Sequence, residues 1–438
     1  MDLLKDNVGK LYRKFFIASF GSALIACIYG LVDMAMVGQY HGPDGSAAMA
    51  VIAPIWNIIY SFGLLCGIGG SVIYAVARGE RDDVKAANGY FTSAFILGTL
   101  WALILWFLVW VCEEPLLRLF GANDALMPLC KEYMVAPKLT VPVYVFINLL
   151  SSFLRNDGDP GRATKAVIFG GIFNVFGDYF FVFTLDMGIK GAGIATAMGA
   201  SMSVLVMLTH FISKKNTLKF VKPLRILNSF KMISVNGFSS FIVDVAMGIA
   251  TMLFNRRVME YLGTDALAVY GVIVVVGTLV QCCSYGIGQA AQPVISRNFG
   301  AGLTDRIKTM LKYNIITAAV FGAIWTVLSM AMPQVFIKLF MTPTPEVLSI
   351  APGIIRIYAI SFILLPFNIY STYYFQAIMR AKKSLIASVA RGIVISGALI
   401  LLLPVAFGGN AVWWAMPITE AVVFVYSAVM MKKVKLSR

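Results

Sequence analysis

Charge is scarce in this chain. Asp, Glu, Lys and Arg make up 13% of its 438 residues, about half the share of a soluble domain. So few charged side chains cannot coat a water-facing globule of that length, and the soluble classes are set aside. Histidine occurs twice, as His41 and His210, each at the edge of an apolar run, so no Ser/His/Asp or Cys/His set can be built. No G-x-x-x-x-G-K-[ST] loop is present, which rules out ATP as the energy source. GAGIAT at 191–196 half matches a dinucleotide fingerprint, but no strand precedes it, and its glycines read as helix-packing residues. The six cysteines, Cys27, Cys66, Cys112, Cys130, Cys282 and Cys283, lack metal or redox spacing and read as small core residues with no disulfide framework. An enzyme is not expected.

What is abundant is apolar sequence. Hydrophobic residues reach 59% and mean hydropathy is +0.81. Twelve runs approach the roughly 20 residues needed to span a bilayer: 14–38, 48–77, 91–112, 134–154, 166–185, 191–212, 237–259, 266–294, 313–332, 351–376, 385–405 and 411–431. Basic residues sort by side. Seven clusters, from Lys5 to Lys14, Arg78 to Lys85, Arg155 to Lys165, Lys214 to Lys231, Arg297 to Lys312, Arg380 to Arg391 and Lys432 to Arg438, hold 28 of the 36. The rest are Arg118, Lys131, Lys138, Lys190, Arg256, Arg257, Lys338 and Arg356. The positive-inside rule then predicts a multi-pass plasma-membrane protein with both termini cytoplasmic. The net charge of +15 is a topology signal, and no nucleic-acid partner is expected. Met1 to Lys14 is polar and amphipathic, and no targeting peptide is expected.

The two halves resemble each other. CGIGGSVIYAVARG at 66–79 aligns with YGIGQAAQPVISRN at 285–298, Leu119-Phe120 with Leu339-Phe340, and Ala163-Thr164-Lys165 with Ala381-Lys382-Lys383, at offsets near 219. Six spans per half is an even number, so the repeats are parallel. The expected architecture is an all-α membrane protein of twelve transmembrane helices in two six-helix lobes, residues 1–221 and 222–438. Ser213 to Asn236 is the linker, predicted to lie on the cytoplasmic surface as a short amphipathic element. Pro54, Pro137, Pro142, Pro293, Pro366, Pro404 and Pro417 interrupt spans, as do Gly67, Gly69 and Gly70 and, at matched places, Gly286 and Gly288.

Against this apolar background four acids stand out. Asp178 lies in the middle of the fifth run, where an ionised carboxylate costs about 2.5 to 3.5 kcal/mol on insertion scales, so a partner is expected. Asn174, four residues earlier, shares its helix face. Thr196 returns on a helix made slim by Gly191, Gly193, Ala195, Ala197 and Gly199, and Asp33 interrupts the first run. Two carboxylates, an amide and a hydroxyl form an all-oxygen set suited to Na+ or a shared proton rather than a soft metal. The alternative is that each is capped locally as a packing device. Asp244 and Glu420 interrupt spans seven and twelve with no local amide partner. Asp244 is placed about a turn and a half from the cytoplasmic end, where an interfacial role is the alternative.

VDMAMVGQ in span one, LRNDGDPGRATKAVIFGGIFNVFGDYFFVF into span five, MGIKGAGIATAMG into span six and GIGQAAQPVISRNFGAG closing span eight resemble the multidrug and toxic compound extrusion (MATE) family. Within it the resemblance is strongest to the bacterial DinF and MepA-type branch. It implies a V-shaped pair of lobes that alternates between inward-open and outward-open states and exports organic cations in exchange for H+ or Na+. The family's N-lobe cation site would fall on Asp33, Asn174, Asp178 and Thr196. Asp244 falls near an acid that members carry in span seven, and Glu420 follows a span-twelve pattern of this branch. Those two form the expected substrate or second coupling site. The proline many members carry in the first span is absent, with Gly21 and Gly30 the nearest breakers, which puts bending at that point in doubt. Coupling is expected to be a competition, because Asp33 and Asp178 in a poorly solvated cavity cannot easily both stay ionised. No cofactor beyond H+ or Na+ is expected, and the expected partners are cationic drugs and the bilayer, around a monomer. Tyr60, Tyr144, Tyr285 and Tyr370 are candidate drug contacts. The competing function is a lipid-linked precursor flippase of related architecture, disfavoured because intramembrane acids occur without intramembrane bases.

Overall fold

The computed structural model describes residues 2–80, 84–223, 225–341, 343–434 and 436. Arg81, Lys435 and Arg438, counted above on the cytoplasmic side, lie outside these. Eleven described helices are long and apolar enough to cross a membrane. One of them, Ile226–Gly300, is two helices meeting at Gly263. The twelve spans are therefore Val8–Gly42, Ala47–Glu80, Val84–Val111, Val135–Asn156, Pro160–Thr184, Gly188–Ile212, 226–262, 264–300, Thr304–Ala331, Pro345–Ala377, Ala381–Phe407 and Gly409–Lys433. Every apolar run falls inside its helix to within a residue. The helices are longer because hydrogen bonding carries on into the polar flanks, most of all in span seven, which starts at Ile226.

Gly42 (φ 65°) and Gly263 (φ 79°) turn the chain between spans one and two and between spans seven and eight. Both occupy the left-handed region that glycine reaches without a Cβ penalty. At the opposite end, which carries both chain termini, the halves press together. A Cβ on Gly79 would lie 2.1 Å from the Arg297 carbonyl oxygen, and one on Gly300 2.1 Å from that of Val76. Spans two and eight thus cross backbone to backbone, a contact only glycine permits. The matched glycines serve the same purpose: Gly69 meets span seven at Ile233, and Gly286 meets span one at Phe20. They are packing points rather than hinges.

Pro54, Pro142, Pro293 and Pro404 lie within helices whose backbone stays helical around them. Pro366 and Pro417 follow 3-10 segments at Ile360–Ile363 and Gly409–Trp414, so those two mark real interruptions. Span one runs unbroken through Gly21 and Gly30.

The linker differs from expectation. Residues 213–223 are non-helical and lie along the first half, and 226–236 already belongs to span seven. The Lys219 and Val221 amides donate to Asn88 Oδ1 and Thr92 Oγ1, both at 3.0 Å, and Asn88 Nδ2 donates to the Thr217 carbonyl at 3.1 Å. Asp157 accepts from the Thr217 amide at 2.9 Å and bonds His210 Nε2 at 2.8 Å. Asp159 is pulled up by burial but held below the ordinary carboxylate range by its hydrogen bond from Lys215 and the nearby charges of Lys215, Arg162 and His210. An extended strand carrying this many backbone donors has no helical partners for them, so side chains of the first half supply acceptors.

A second strap crosses the other way. Arg306 in span nine donates to the carbonyls of Leu3 at 3.1 Å and Asp6 at 2.7 Å, and Asn298 Nδ2 donates to that of Leu3 at 3.0 Å. The first residues of the chain are thereby docked on the second half.

Candidate cation site and its counterpart in the second lobe

Asp33, Asn174, Asp178 and Thr196 are all buried. Spans five and six approach closely enough to bring three of them together: a Cβ on Gly199 would come 2.9 Å from that of Asn174, and one on Gly177 2.8 Å from that of Ala195. Asn174 Nδ2 donates to Thr196 Oγ1 at 3.3 Å. Asp33 joins through Tyr133, whose hydroxyl donates to Asp33 Oδ2 at 3.1 Å and lies close to Thr196. Asp33 and Asp178 interact electrostatically, and Tyr144 lies within reach of both charges. Tyr133 has no signal in the sequence, being 100 residues from its partner in a short helix, Met127–Tyr133, between spans three and four.

Four oxygens are left over. Asp33 Oδ1, Asn174 Oδ1 and both carboxylate oxygens of Asp178 are buried with no hydrogen-bond partner among the described residues. Such atoms are expensive to desolvate unless a proton or cation meets them. Asp178 is nearer the C-terminal end of span five than the apolar run suggested, because the helix begins at Pro160. A π-helical turn, Tyr179–Thr184, follows it directly, a local widening that recurs at functional positions.

The second half is built differently. Asp244 stands halfway between Ile226 and Gly263, not near an interface, and is buried. Its Oδ1 accepts from Tyr285 at 2.7 Å, whose hydroxyl in turn accepts from Gln281 Nε2 at 2.7 Å. Asp244 Oδ2 has no partner among the described residues. Glu420 is closed on both sides: Arg391 Nε donates to Oε1 and Asn368 Nδ2 to Oε2, each at 2.7 Å. Arg391, assigned from sequence to a cytoplasmic cluster, instead lies inside span eleven in a second π-helical turn, Ala390–Val394, with its side chain 11% exposed. The bundle therefore does contain an intramembrane base, which removes the reason given above for disfavouring an anionic headgroup. Tyr60 also lies near the Asp244 charge, and Tyr370 is fully buried in the core. The histidines are structural, His41 Nε2 accepting from the Ile189 amide at 3.0 Å and His210 bridging Asp157 and Asp159.

The MatE family model matches residues 18–180 and again 236–401, once per half and most of the chain. The chain belongs to the MATE family. As a MATE protein it is a transporter and not an enzyme. Among characterised relatives, the multidrug export protein MepA of Staphylococcus saprophyticus is 23% identical over 426 residues, covering 95% of this chain and 92% of the relative. MepA of Staphylococcus haemolyticus is 24% identical over 428 residues with the same coverage. Among solved structures, a multidrug resistance MATE transporter of the MOP superfamily in its outward-facing conformation superposes with a TM-score of 0.89 at 22% identity, over 98% of this chain and 97% of that one. A MOP superfamily transporter from Pyrococcus furiosus, described as having a binding pocket of reversed polarity, superposes with a TM-score of 0.88 at 22% identity and the same coverage. The fold is the V-shaped, two-lobed MATE architecture.

Proposed function

We propose that this MATE protein is a secondary active multidrug efflux antiporter that exports lipophilic organic cations in exchange for H+ or Na+, with H+ favoured. The observation that carries the reading is the set of four unpartnered buried oxygens on Asp33, Asn174 and Asp178, with Thr196 at its edge. Two carboxylates in one poorly solvated cavity repel each other, so one takes a proton or both share a cation. An entering ion biases one lobe arrangement, and its release on the other side biases the alternative. Each charge moved down the potential is worth about 2.3 kcal/mol per 100 mV, enough to shift such an equilibrium.

Residues 1–221 and 222–438 act as the two moving bodies in this reading, and both termini are cytoplasmic. Contact at the terminal end then corresponds to an outward-open state. Asp244 contacts substrate, and Glu420 acts by holding Arg391. The flippase alternative draws support from Arg391, but that charge is already neutralised by Glu420. Proteoliposomes under imposed ΔpH or ΔNa+ test the reading: drug efflux driven by one gradient supports it, and drug-independent movement of a lipid-linked anion would replace it. Reporter fusions after Lys214 should read cytoplasm, and external activity there would overturn the even span count.

A further inference from the structure

Spans four and ten end alike. In the first half the Gly158 amide donates to the Arg155 carbonyl at 3.2 Å and that of Asp159 to Leu154 at 2.9 Å. In the second, the Met379 amide donates to the Gln376 carbonyl at 2.9 Å and that of Arg380 to Phe375 at 2.8 Å. Both chains then turn through the left-handed region, at Gly158 (φ 84°) and Met379 (φ 58°). The correspondence pairs Arg155 with Gln376.

The two members of the pair do different things. Gln376 holds its lobe together: it is fully buried, and its Nε2 donates to the Asn236 carbonyl at 3.0 Å and to Ser239 Oγ and Ser240 Oγ at 2.8 Å, all in span seven. Arg155 is 8% exposed, yet no acceptor among the described residues takes any of its five N–H donors. Its nitrogens are not sealed off from accessible space. Its charge reaches Tyr60 in span two and Tyr373 in span ten, one from each half, so it stands between the halves near the end where they press together. Asp244 also lies near both tyrosines but does not bond it, and Asp157, two residues on, is taken by His210, Thr217 and Tyr74. Packing at this position needs only a neutral amide, as the second half demonstrates. An unpaired guanidinium is costly to bury, so its charge calls for a use.

A fixed positive charge in a narrow, poorly solvated gap opposes the entry of any cation, the device by which some pores exclude protons. The same Coulomb interaction weakens several-fold once water fills the gap. We propose that Arg155 is a cation barrier, which stops H+, Na+ and organic cations from slipping between the halves while they touch at this end. When the halves part, hydration of the guanidinium lifts the barrier and the passage opens to coupling ion and substrate. The proposal rests on the export reading above and adds to it a residue that keeps exchange free of leak.

Proteoliposomes of the full-length protein, without drug, test this under imposed gradients of H+, Na+ or Cl−, read with entrapped pyranine, a Na+ dye and lucigenin. Arg155→Gln, which installs the side chain of the second half, should raise the leak of H+ or Na+ on the order of tenfold while leaving that of Cl− unchanged. Arg155→Lys keeps the charge and should stay as tight as the wild type. Arg155→Met is a second neutral variant that should leak like Arg155→Gln. Both neutral variants remove an unpaired buried charge, so neither should melt below the wild type in detergent. No added cation leak in either of them overturns the proposal. So does a leak raised equally for Cl−, the mark of a packing defect, or Arg155→Lys as leaky as Arg155→Gln. Drug export by the wild type under ΔpH or ΔNa+ is a separate readout. If it is present while Arg155→Gln stays tight, the export reading stands and this inference alone falls, whereas absent export removes the reading on which the barrier rests.

Discussion

Each lobe buries two acids inside its spans, but among the described residues only the second bonds one of them to an arginine; Arg155, buried at the end of span four in the first half, makes no hydrogen bond to Asp33 or Asp178. In the first, Asp33 and Asp178 lie near one another, and among the described residues three of their four oxygens are unmet and the only donor to either is the Tyr133 hydroxyl. In the second, Glu420 is held by Arg391 and Asn368, and Asp244 keeps one oxygen with no partner among the described residues, in a chamber that Arg391 also lines. A site that needs an outside cation to balance it is sensitive to the gradient of that cation. A site balanced by its own guanidinium is not. On the function proposed above, coupling falls to the first lobe and ligand recognition to the second.

The largest expected effect tests the first half of that statement. Asp33→Asn and Asp178→Asn each keep the side chain's shape and remove the exchangeable charge, so gradient-driven export should fall to background in vesicles. Wild-type-like export by both variants would break the contrast, whichever ion drives the pump.

Stability should respond with opposite signs in the two lobes. Removing Arg391 alone, as in Arg391→Ala, strands Glu420 as an uncompensated buried charge, a loss of about 3–5 kcal/mol in comparable pairs. The double variant Arg391→Gln/Glu420→Gln should recover most of it. In the first lobe, Asp178→Asn removes an unpaired carboxylate and should leave melting in detergent unchanged or raised. Equal destabilisation by Asp178→Asn and Arg391→Ala would mean that Asp178 has a fixed partner after all.

Most of this could be read before the structure. The spans were legible because about 20 apolar residues in a row have few other uses, and Asn174, Asp178 and Thr196 because helical spacing and small residues fix which faces meet. Tyr133 and Arg391 were not. Their partners lie 100 and 29 residues away on other elements, and no periodicity within one helix reports a contact between two. Arg391 was further disguised by following Arg380, Lys382 and Lys383, which made it look like one more cytoplasmic charge. The depth of Asp244 was misjudged for a related reason, since span seven begins in polar sequence that hydropathy discounts.

A smaller effect sharpens the second lobe's role. Asp244→Asn should weaken export of some drugs several-fold and spare others, because it changes one contact in a cavity while the coupling site stays intact. Resistance profiles across cationic, zwitterionic and neutral compounds would show this. Uniform loss at normal expression would instead move coupling into the second lobe and erase the distinction between the two.

The smallest effect asks which ion balances the first lobe. Thr196 Oγ1 accepts from Asn174 and touches Tyr133, so it borders the unmet oxygens without being one of them. A proton needs only a carboxylate, whereas a hard cation prefers about six oxygen ligands or more, by analogy with calcium and magnesium sites. If H+ is the coupling ion, Thr196→Ala should cost a few-fold at most, through a reoriented Asn174, and ΔpH should still drive export. If Na+ is the ion, losing one oxygen from so small a set should raise the Na+ concentration needed for half-maximal transport by an order of magnitude or so. Transport by Thr196→Ala over a series of imposed ΔNa+ and ΔpH separates the two cases. A variant unaffected under either gradient would show that the hydroxyl only packs spans five and six together, and the coupling site would shrink to Asp33, Asn174 and Asp178.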